Sequence, residues 1–261
     1  MQVVVCILAQ VFYRWYYKSL NFLAKITGQN VITSLVFRPA LYSKGDNALP
    51  KRQIYMKKLF SSSNKKDSRK QPIIVVSGLP RSGTSMMMRM LAEGGIPVVT
   101  DELRRADSDN PNGYFEFETV RQMSAGNVEW LANANGKAIK VISALLEYLP
   151  SNYSYKIIFL ERDVHEILAS QRKMLMNRNE KEMGDEIEIE MQIQKHLSVM
   201  KPWLVRQPNI EVLYVNYNTL MTKPEPLCEQ ITEFLDLPLN LTRMLTVPDR
   251  HLYRNRKITE D

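Results

Sequence analysis

A buried strand, a glycine-containing turn and a second apolar run follow one another in residues 73–90, within PIIVVSGLPRSGTSMMMRML. The run IIVVS is continuous and rich in β-branched residues, which is typical of a strand covered on both faces of a parallel sheet. The run after the turn predicts a helix over 84–93. A turn between such elements points backbone N–H groups and a helix N-terminus at one spot, which is suited to an anion.

The turn has the glycine spacing of the ATP-binding loop GxxxxGK[ST], with Gly78 and Gly83 at the two glycine positions. Thr84 stands where that loop has its lysine, which kinases use on the β- and γ-phosphates together with magnesium. The missing lysine therefore argues against an ATP-dependent kinase, which we keep as an alternative. The loop instead offers one guanidinium and three hydroxyl groups, those of Arg81, Ser82, Thr84 and Ser85.

Strand-like and helix-like segments alternate after this loop. Strands are predicted at 138–142, 156–160 and 211–214, and helices at 164–175 and 226–235, with an acidic, exposed helix at 180–200. Such alternation implies a parallel sheet covered by helices on both faces. We therefore expect an α/β fold with three α/β/α layers around a central parallel sheet, like that of the P-loop nucleoside-triphosphate hydrolases.

The basic residues are unevenly distributed along the chain. Residues 1–70 hold 13 Lys and Arg against two acidic residues, a net charge of +11, whereas the remaining 22 basic and 26 acidic residues give −4. The polar stretch SSSNKKDSRKQ marks a linker, so we divide the chain into a basic segment, 1–70, and a catalytic domain, 71–261. Nucleic-acid binding is not expected, because the basic residues interleave with an apolar helix.

Residues 3–26 are largely apolar but carry a basic stripe that includes Arg14, Lys18 and Lys25, which predicts an amphipathic helix. Residues 1–30 could lie on an anionic membrane surface. Alternatively, they could pack on this protein or on a partner subunit, as in a homo-oligomer. A transit peptide is the third alternative. The two cysteines, Cys6 and Cys228, give no disulfide framework. We expect a cytoplasmic protein, with peripheral membrane contact left open.

The sequence PRSGTS after a buried strand resembles the 5'-phosphosulfate loop of the sulfotransferase family, whose sulfonate donor is 3'-phosphoadenylyl sulfate (PAPS). The resemblance implies that this loop holds the 5'-phosphate and that its arginine lies near the bridging oxygen and the sulfonate. The implied donor-binding residues here are Pro80, Arg81, Ser82, Gly83, Thr84 and Ser85.

The sequence YKIIFLERDVHEILASQ resembles the 3'-phosphate motif of the same family, in which a serine follows an arginine by eight residues. Arg162 and Ser170 have this relation, and an arginine fork with a serine hydroxyl is suited to one phosphate group. The usual Asn-Pro is Asp163-Val164 here, and the usual acidic residue is Glu166. With VLYVNYNTLMTKPEPLCEQITEFLDLPL, the resemblance covers about residues 72–240.

The resemblance implies transfer of sulfonate to a hydroxyl or amine acceptor by in-line displacement. Such a reaction needs positive charge near the leaving oxygen and a base on the nucleophile. Arg81 is the first candidate for the charge. Lys140 is the second, because AIKVISALLEYLP resembles the family segment K-T-H-L-P, although the histidine position is Ile142.

In related sulfotransferases with a PRSGT loop, the base is a glutamate about 21 residues after the loop arginine. That spacing leads to Glu102, which we prefer, with Asp101 beside it as the next candidate; the pair could also cap a helix or face solvent. Glu116 and Glu118, in NPNGYFEFE, are further candidates, although their alternation with phenylalanines also fits an exposed strand.

The histidines, the basic C-terminal sequence and the acceptor lie outside these motifs. The histidines, His165, His196 and His251, have no ligand partners at metal spacing, so no metal is expected. The basic sequence HLYRNRK at 251–257, with Arg250 before it, would cover the 3'-phosphate or form a solvated tail. The acceptor stays open among small molecules, carbohydrates and lipids, and a non-catalytic membrane-associated nucleotide-binding protein remains an alternative to an enzyme.

Overall fold

A computed structural model describes residues 71–249, except for 102, 105, 108, 109, 111, 112, 178 and 180–183. Within these residues a four-stranded parallel sheet is formed by β1 (Ile73–Gly78), β2 (Ala138–Lys140), β3 (Tyr155–Glu161) and β4 (Ile210–Asn216). The strand order is β2-β1-β3-β4. Residues 1–70, with the predicted amphipathic helix, lie outside the described residues, so the division at residue 70 stays a prediction.

The helices of the described residues are α1 (Thr84–Glu93), α2 (Val164–Asn177), α3 (Glu186–Arg206), α4 (Tyr217–Thr222), α5 (Pro224–Leu235) and α6 (Leu241–Leu245). Three 3₁₀ turns, Glu118–Ala125, Glu129–Asn133 and Ser143–Tyr148, lie before and after β2. None of the helices in the described residues combines the length and apolarity that crossing a membrane requires.

Side chains alternate along each strand, so they point to both faces of the sheet. Both faces are buried by packed elements. Ile74 and Val76 of β1 pack into a cluster with residues of α1, α4, α5 and α6. Ile73 and Val75 point the other way and pack with the 3₁₀ turns and the C-terminal half of α3. The predicted three-layer α/β/α fold around a parallel sheet is confirmed.

The strand order indicates which edge of the sheet is suited to binding a ligand. The chain leaves β1 toward β2 on one side and returns to β3 on the other, so the direction of winding reverses between β1 and β3. Ligands of open α/β sheets bind at the carboxyl ends of the strands, in the crevice at such a switch point. Gly78 at the end of β1 pairs with Leu160 near the end of β3, so the loops that follow these strands are neighbours.

One local prediction was wrong and another was incomplete. The acidic, exposed helix predicted at 180–200 is α3, and most of its residues are exposed or half-buried, but it also buries an apolar stripe against the fold, formed by Ile189, Ile193, Met200 and Leu204. The acidic residues crowded near its start concealed this apolar stripe. The alternating segment around Phe117 is not a strand, since it enters a 3₁₀ turn at Glu118.

Candidate active site

The loop after β1 has the backbone conformation of an anion-binding turn. Arg81 and Gly83 both have left-handed φ angles, 71° and 98°. For a non-glycine residue that conformation costs about 1–3 kcal/mol and clusters at functional sites. The first helical bond of α1 runs from the Met87 N–H to the Gly83 carbonyl at 3.1 Å, so helix geometry leaves the preceding N–H groups without intrahelical partners. No side chain among the described residues caps α1.

Two glycines of the loop lie where a side chain would not fit. A Cβ on Gly83 would be 2.3 Å from Cδ2 of Tyr217, the first residue of α4, and one on Gly78 would be 2.7 Å from the Leu160 carbonyl oxygen. The tyrosine ring therefore lies directly against the loop. The end of β3 and the first residue of α4, which follows β4, thus both lie against the loop.

The loop hydroxyls have different environments. Ser82 is fully buried, and its Oγ has no hydrogen-bond partner within the part of the chain that the structure describes. A buried hydroxyl is costly to leave unsatisfied, so this atom fits a site that accepts an anion. Ser85 Oγ donates to the Tyr114 carbonyl at 3.2 Å and accepts from Lys140 Nζ at 3.2 Å.

The predicted phosphate motifs meet at the switch point. Arg81 Nε donates to Ser170 Oγ at 2.9 Å, and an NH1 of Arg162 donates to the Arg81 carbonyl at 2.9 Å. Arg81 comes from the loop after β1, Arg162 follows β3, and Ser170 lies on α2. The geometry therefore gathers two guanidinium groups and a serine hydroxyl beside the N-terminus of α1.

Glu166, which is 4% exposed, orients Arg162. One oxygen accepts from Arg162 Nε at 3.0 Å and the other from Asn218 Nδ2 at 2.9 Å. The Arg162 guanidinium also lies 4.4 Å from the centre of the Tyr217 ring. Burial raises the pKa of the Tyr217 phenol, so this ring stays neutral.

Asp163 takes the place of the Asn-Pro that usually follows the arginine of the 3'-phosphate motif. Its carboxylate accepts the backbone N–H groups of His165 at 2.9 Å and Glu166 at 3.3 Å. These are the contacts of an N-cap, so the Asp163 side chain begins α2 without a proline.

Lys140 ends β2 and its side chain, 8% exposed, reaches the start of α1. Its Nζ donates to Ser85 Oγ and the Tyr114 carbonyl, and lies 3.4 Å from Glu116 Oε1. Burial lowers the pKa of Lys140 to about 8, while the Glu116 charge acts in the opposite direction. The ammonium form thus titrates close to neutral pH.

Asp101, a candidate base, has both carboxylate oxygens on backbone groups. Oδ1 accepts the Leu103 N–H at 3.1 Å and Oδ2 the Glu118 N–H at 2.6 Å. These contacts fix the entry to the 3₁₀ turn at Glu118. Glu102 and the basic residues 250–257 lie outside the described residues.

Sequence reasoning did not assign Tyr217 a place at the loop or foresee the cations that gather at Glu116. The only sequence signals were the tyrosine-containing turn after β4 and the run NPNGYFEFE. His196, on α3, has its Nε2 3.0 Å from Ser143 Oγ, and burial lowers its pKa. Among the described residues no three His, Cys, Asp or Glu side chains are arranged to hold a metal ion.

A model of the sulfotransferase family matches residues 112–240, a range that includes Lys140, Arg162 and Ser170. No curated protein matches the chain in sequence.

Three solved structures are examples of those to which the chain is similar. An unliganded sugar kinase of Janibacter sp. HTCC2649 is 15% identical in sequence. The match covers 64% of this chain and 96% of that chain, with a TM-score of 0.38. Sulfotransferase STF1 of Mycobacterium tuberculosis has 15% identity, 70% and 71% coverage, and a TM-score of 0.43. Mouse sulfotransferase SULT7A1 complexed with PAP has 15% identity, 70% and 64% coverage, and a TM-score of 0.34.

At these TM-scores the structural likenesses support no conclusion about the chain. The family match begins after residues 79–83, the predicted phosphate loop, and it covers the strands and helices that carry Lys140, Arg162 and Ser170. Residues 112–240 therefore match the sulfotransferase family.

Proposed function

We propose that the chain transfers a sulfonate group from PAPS to a hydroxyl or amine acceptor by in-line displacement. The observation that carries the proposal is the 2.9 Å hydrogen bond from Arg81 Nε to Ser170 Oγ. It joins the loop that resembles a 5'-phosphosulfate site to the motif that resembles a 3'-phosphate site. A donor with phosphates at both ends of its ribose needs these two sites in one crevice.

In this proposal the N–H groups at the start of α1, with Ser82, Gly83, Thr84 and Ser85, hold the 5'-phosphate, and Pro80 shapes the turn. The unsatisfied Ser82 Oγ and the left-handed Gly83 fit that role. Arg162 and Ser170 hold the 3'-phosphate, with the arginine oriented by Glu166.

The donor would supply an activated sulfonate with a phosphate oxygen as its leaving group. Arg81 places positive charge at the loop, and Lys140 brings a second cation to Ser85. A cation at the leaving oxygen lowers the barrier because it stabilises charge that develops in the transition state. Lys140, with a pKa of about 8, is mostly charged at neutral pH.

For the base we propose Glu102, with Asp101 as the second candidate. The two Asp101 oxygens hold backbone N–H groups of Leu103 and Glu118, which supports a role in shaping the segment that carries its neighbour. Glu102 rests on its spacing from Arg81 alone. The assignment predicts that Glu102→Gln lowers turnover while leaving donor binding unchanged.

The proposed acceptor is a small molecule, a carbohydrate or a lipid. A cytoplasmic location, membrane contact through residues 1–30 and assembly into a homo-oligomer are proposals from the sequence. Incubating the protein and PAPS with a cell extract, then searching by mass spectrometry for products that gain one sulfonate group, would identify the acceptor.

Calorimetric titration with adenosine 3',5'-bisphosphate, and separately with ATP and magnesium, tests the donor. We expect the bisphosphate to bind and Arg81→Ala and Arg162→Ala to weaken it. Arg243→Ala is the matched control, because this exposed arginine pairs with Glu93 away from the loop. Tight ATP binding with no response to the bisphosphate would favour the kinase alternative and refute the proposal.

A further inference from the structure

Glu116 lies at the centre of a group of cations beside the phosphate loop. Its Oε1 is 3.0 Å from Arg104 NH1 and 3.4 Å from Lys140 Nζ, and its Oε2 is 3.3 Å from Arg121 NH2. Both carboxylate oxygens therefore face cations. This arrangement differs from that of a base, which would present an oxygen to the acceptor.

The contacts of Lys140 give Glu116 a specific role. Within the described residues, the ammonium group contacts the Ser85 hydroxyl, the Tyr114 carbonyl and the Glu116 carboxylate. The first two contacts are uncharged and belong to the start of α1 and to the segment before the 3₁₀ turn. Glu116 thus supplies the negative charge that touches this lysine.

Several further groups surround this contact. Arg104 lies 3.3 Å from the centre of the Tyr114 ring, and Lys140 Nζ lies 6.0 Å from the same centre. The Tyr114 hydroxyl donates to Asp107. Glu118 pairs with Arg121 at 2.8 Å.

The charged form of a buried lysine is stable only when an opposite charge replaces the lost water. Burial and the two arginines, Arg104 and Arg121, each lower the pKa of Lys140, and Glu116 raises it. Removing Glu116 would leave Lys140 close to Arg104 and Arg121 without the carboxylate that contacts its ammonium group. The lysine is the member of that group that can release a proton, since an arginine stays charged.

We propose that Glu116 is a positioning residue for sulfonate transfer, which holds the Lys140 side chain against the phosphate loop in its charged form. This inference rests on the proposed function, in which the Lys140 ammonium acts on the transferring group. It assigns Glu116 to the lysine and leaves the proton of the acceptor to another carboxylate.

The direct test is an NMR titration of the Lys140 side-chain resonances, assigned by their loss in Lys140→Arg. We expect Glu116→Gln to lower the pKa of Lys140 by about one unit or more, the size expected for loss of an opposite charge at this distance. The matched control is Glu118→Gln, which removes an equal charge from Arg121 two residues away without touching Lys140. An unchanged titration in Glu116→Gln, or an equal shift in both variants, overturns the inference.

Catalysis provides the second readout. In the pH profile of kcat, we expect a fall at alkaline pH, the alkaline limb, where Lys140 loses its proton. In Glu116→Gln this limb should move to lower pH by the same amount, and KM for the donor should change less than kcat. Glu116→Asp, which keeps the charge on a shorter side chain, should restore part of the shift and covers the case in which Glu116→Gln does not fold. An unmoved limb in Glu116→Gln contradicts the inference, and where that variant does not fold, an unmoved limb in Glu116→Asp contradicts it.

The two readouts separate this inference from the proposed function. A protein that transfers no sulfonate contradicts the function, yet the NMR titration still decides whether Glu116 controls Lys140. If Glu116→Gln transfers sulfonate with the same alkaline limb as the unchanged protein, the proposed function holds and Glu116 has no part in it.

Discussion

The Arg162 side chain donates a 2.9 Å hydrogen bond to the backbone carbonyl of Arg81. The arginine of the motif after β3 thus contacts the one non-glycine residue of the loop after β1 that has a left-handed φ, 71°. The contact favours a loop conformation that its own sequence disfavours. Loss of Arg162 should therefore affect the loop as well as the phosphate that we assign to this arginine.

Arg162→Ala should lower both stability and bisphosphate affinity. Its ion pair with Glu166 is buried, with side chains 7% and 3% exposed, so truncation leaves a buried carboxylate without its cation and costs about 3 kcal/mol. Affinity should fall at least about tenfold, as expected for a lost charged hydrogen bond. Urea denaturation and calorimetry measure the two effects.

The double variant Arg162→Ala with Glu166→Gln separates these effects. Neutralising the carboxylate should recover part of the stability, whereas the affinity should stay low. Recovery of both quantities together would mean that Arg162 acts only through folding.

Gly83→Ala should destabilise the protein by about 3 kcal/mol, because overpacking against Tyr217 adds to the strain of a left-handed alanine. Gly126→Ala is the control, since Gly126 has a similar φ, 88°, with nothing within 4 Å of an added Cβ. It should cost about 1 kcal/mol. Equal losses in chemical denaturation would show that the Tyr217 contact is unimportant.

Ser170→Ala should reduce kcat/KM about tenfold, because the Arg81 guanidinium loses a hydrogen-bond acceptor at 2.9 Å. Steady-state kinetics with PAPS measure the change. Ser198→Ala, at an exposed position of α3, should leave kcat/KM unchanged. A Ser170→Ala enzyme with the kinetics of this control would remove Ser170 from the donor site.

The transfer rate should fall as pH rises above about 8, because the charged form of Lys140 exists below its pKa and is lost above it. The decline should approach tenfold per pH unit for one ionisation. Lys140→Arg should abolish this limb, since arginine keeps its charge, although its planar fork lowers the rate at neutral pH. A pH–rate profile of both proteins checks the prediction, and an alkaline limb that persists in Lys140→Arg would assign it to another group.

The parts of the site that local sequence determines were predictable. The helix predicted at 84–93 is α1, Thr84–Glu93, because a buried strand, a glycine turn and an apolar run follow each other without interruption. The contact between Arg81 and Ser170 could be anticipated only through the family motifs. Nothing in the spacing of 89 residues brings these side chains together; the order of the strands does.

The contacts of Glu116 could not be predicted, because they join a segment outside the helices and strands to the end of β2. The alternation in YFEFE favours a strand, whereas the Asp101 carboxylate and the Glu118 N–H fix a turn there instead. The buried stripe of α3 was missed for a related reason. Four apolar residues decide its packing, while the acidic residues near its start dominate its composition.

The Tyr217 ring against Gly83 also has a consequence for how the protein matures. The phosphate loop follows the first strand of the sheet, but the ring that covers it follows the last. A nascent chain that has not yet released β4 from the ribosome has the loop sequence but lacks its cover. Binding of the proposed donor should therefore arise only after β4 and Tyr217 have been synthesised.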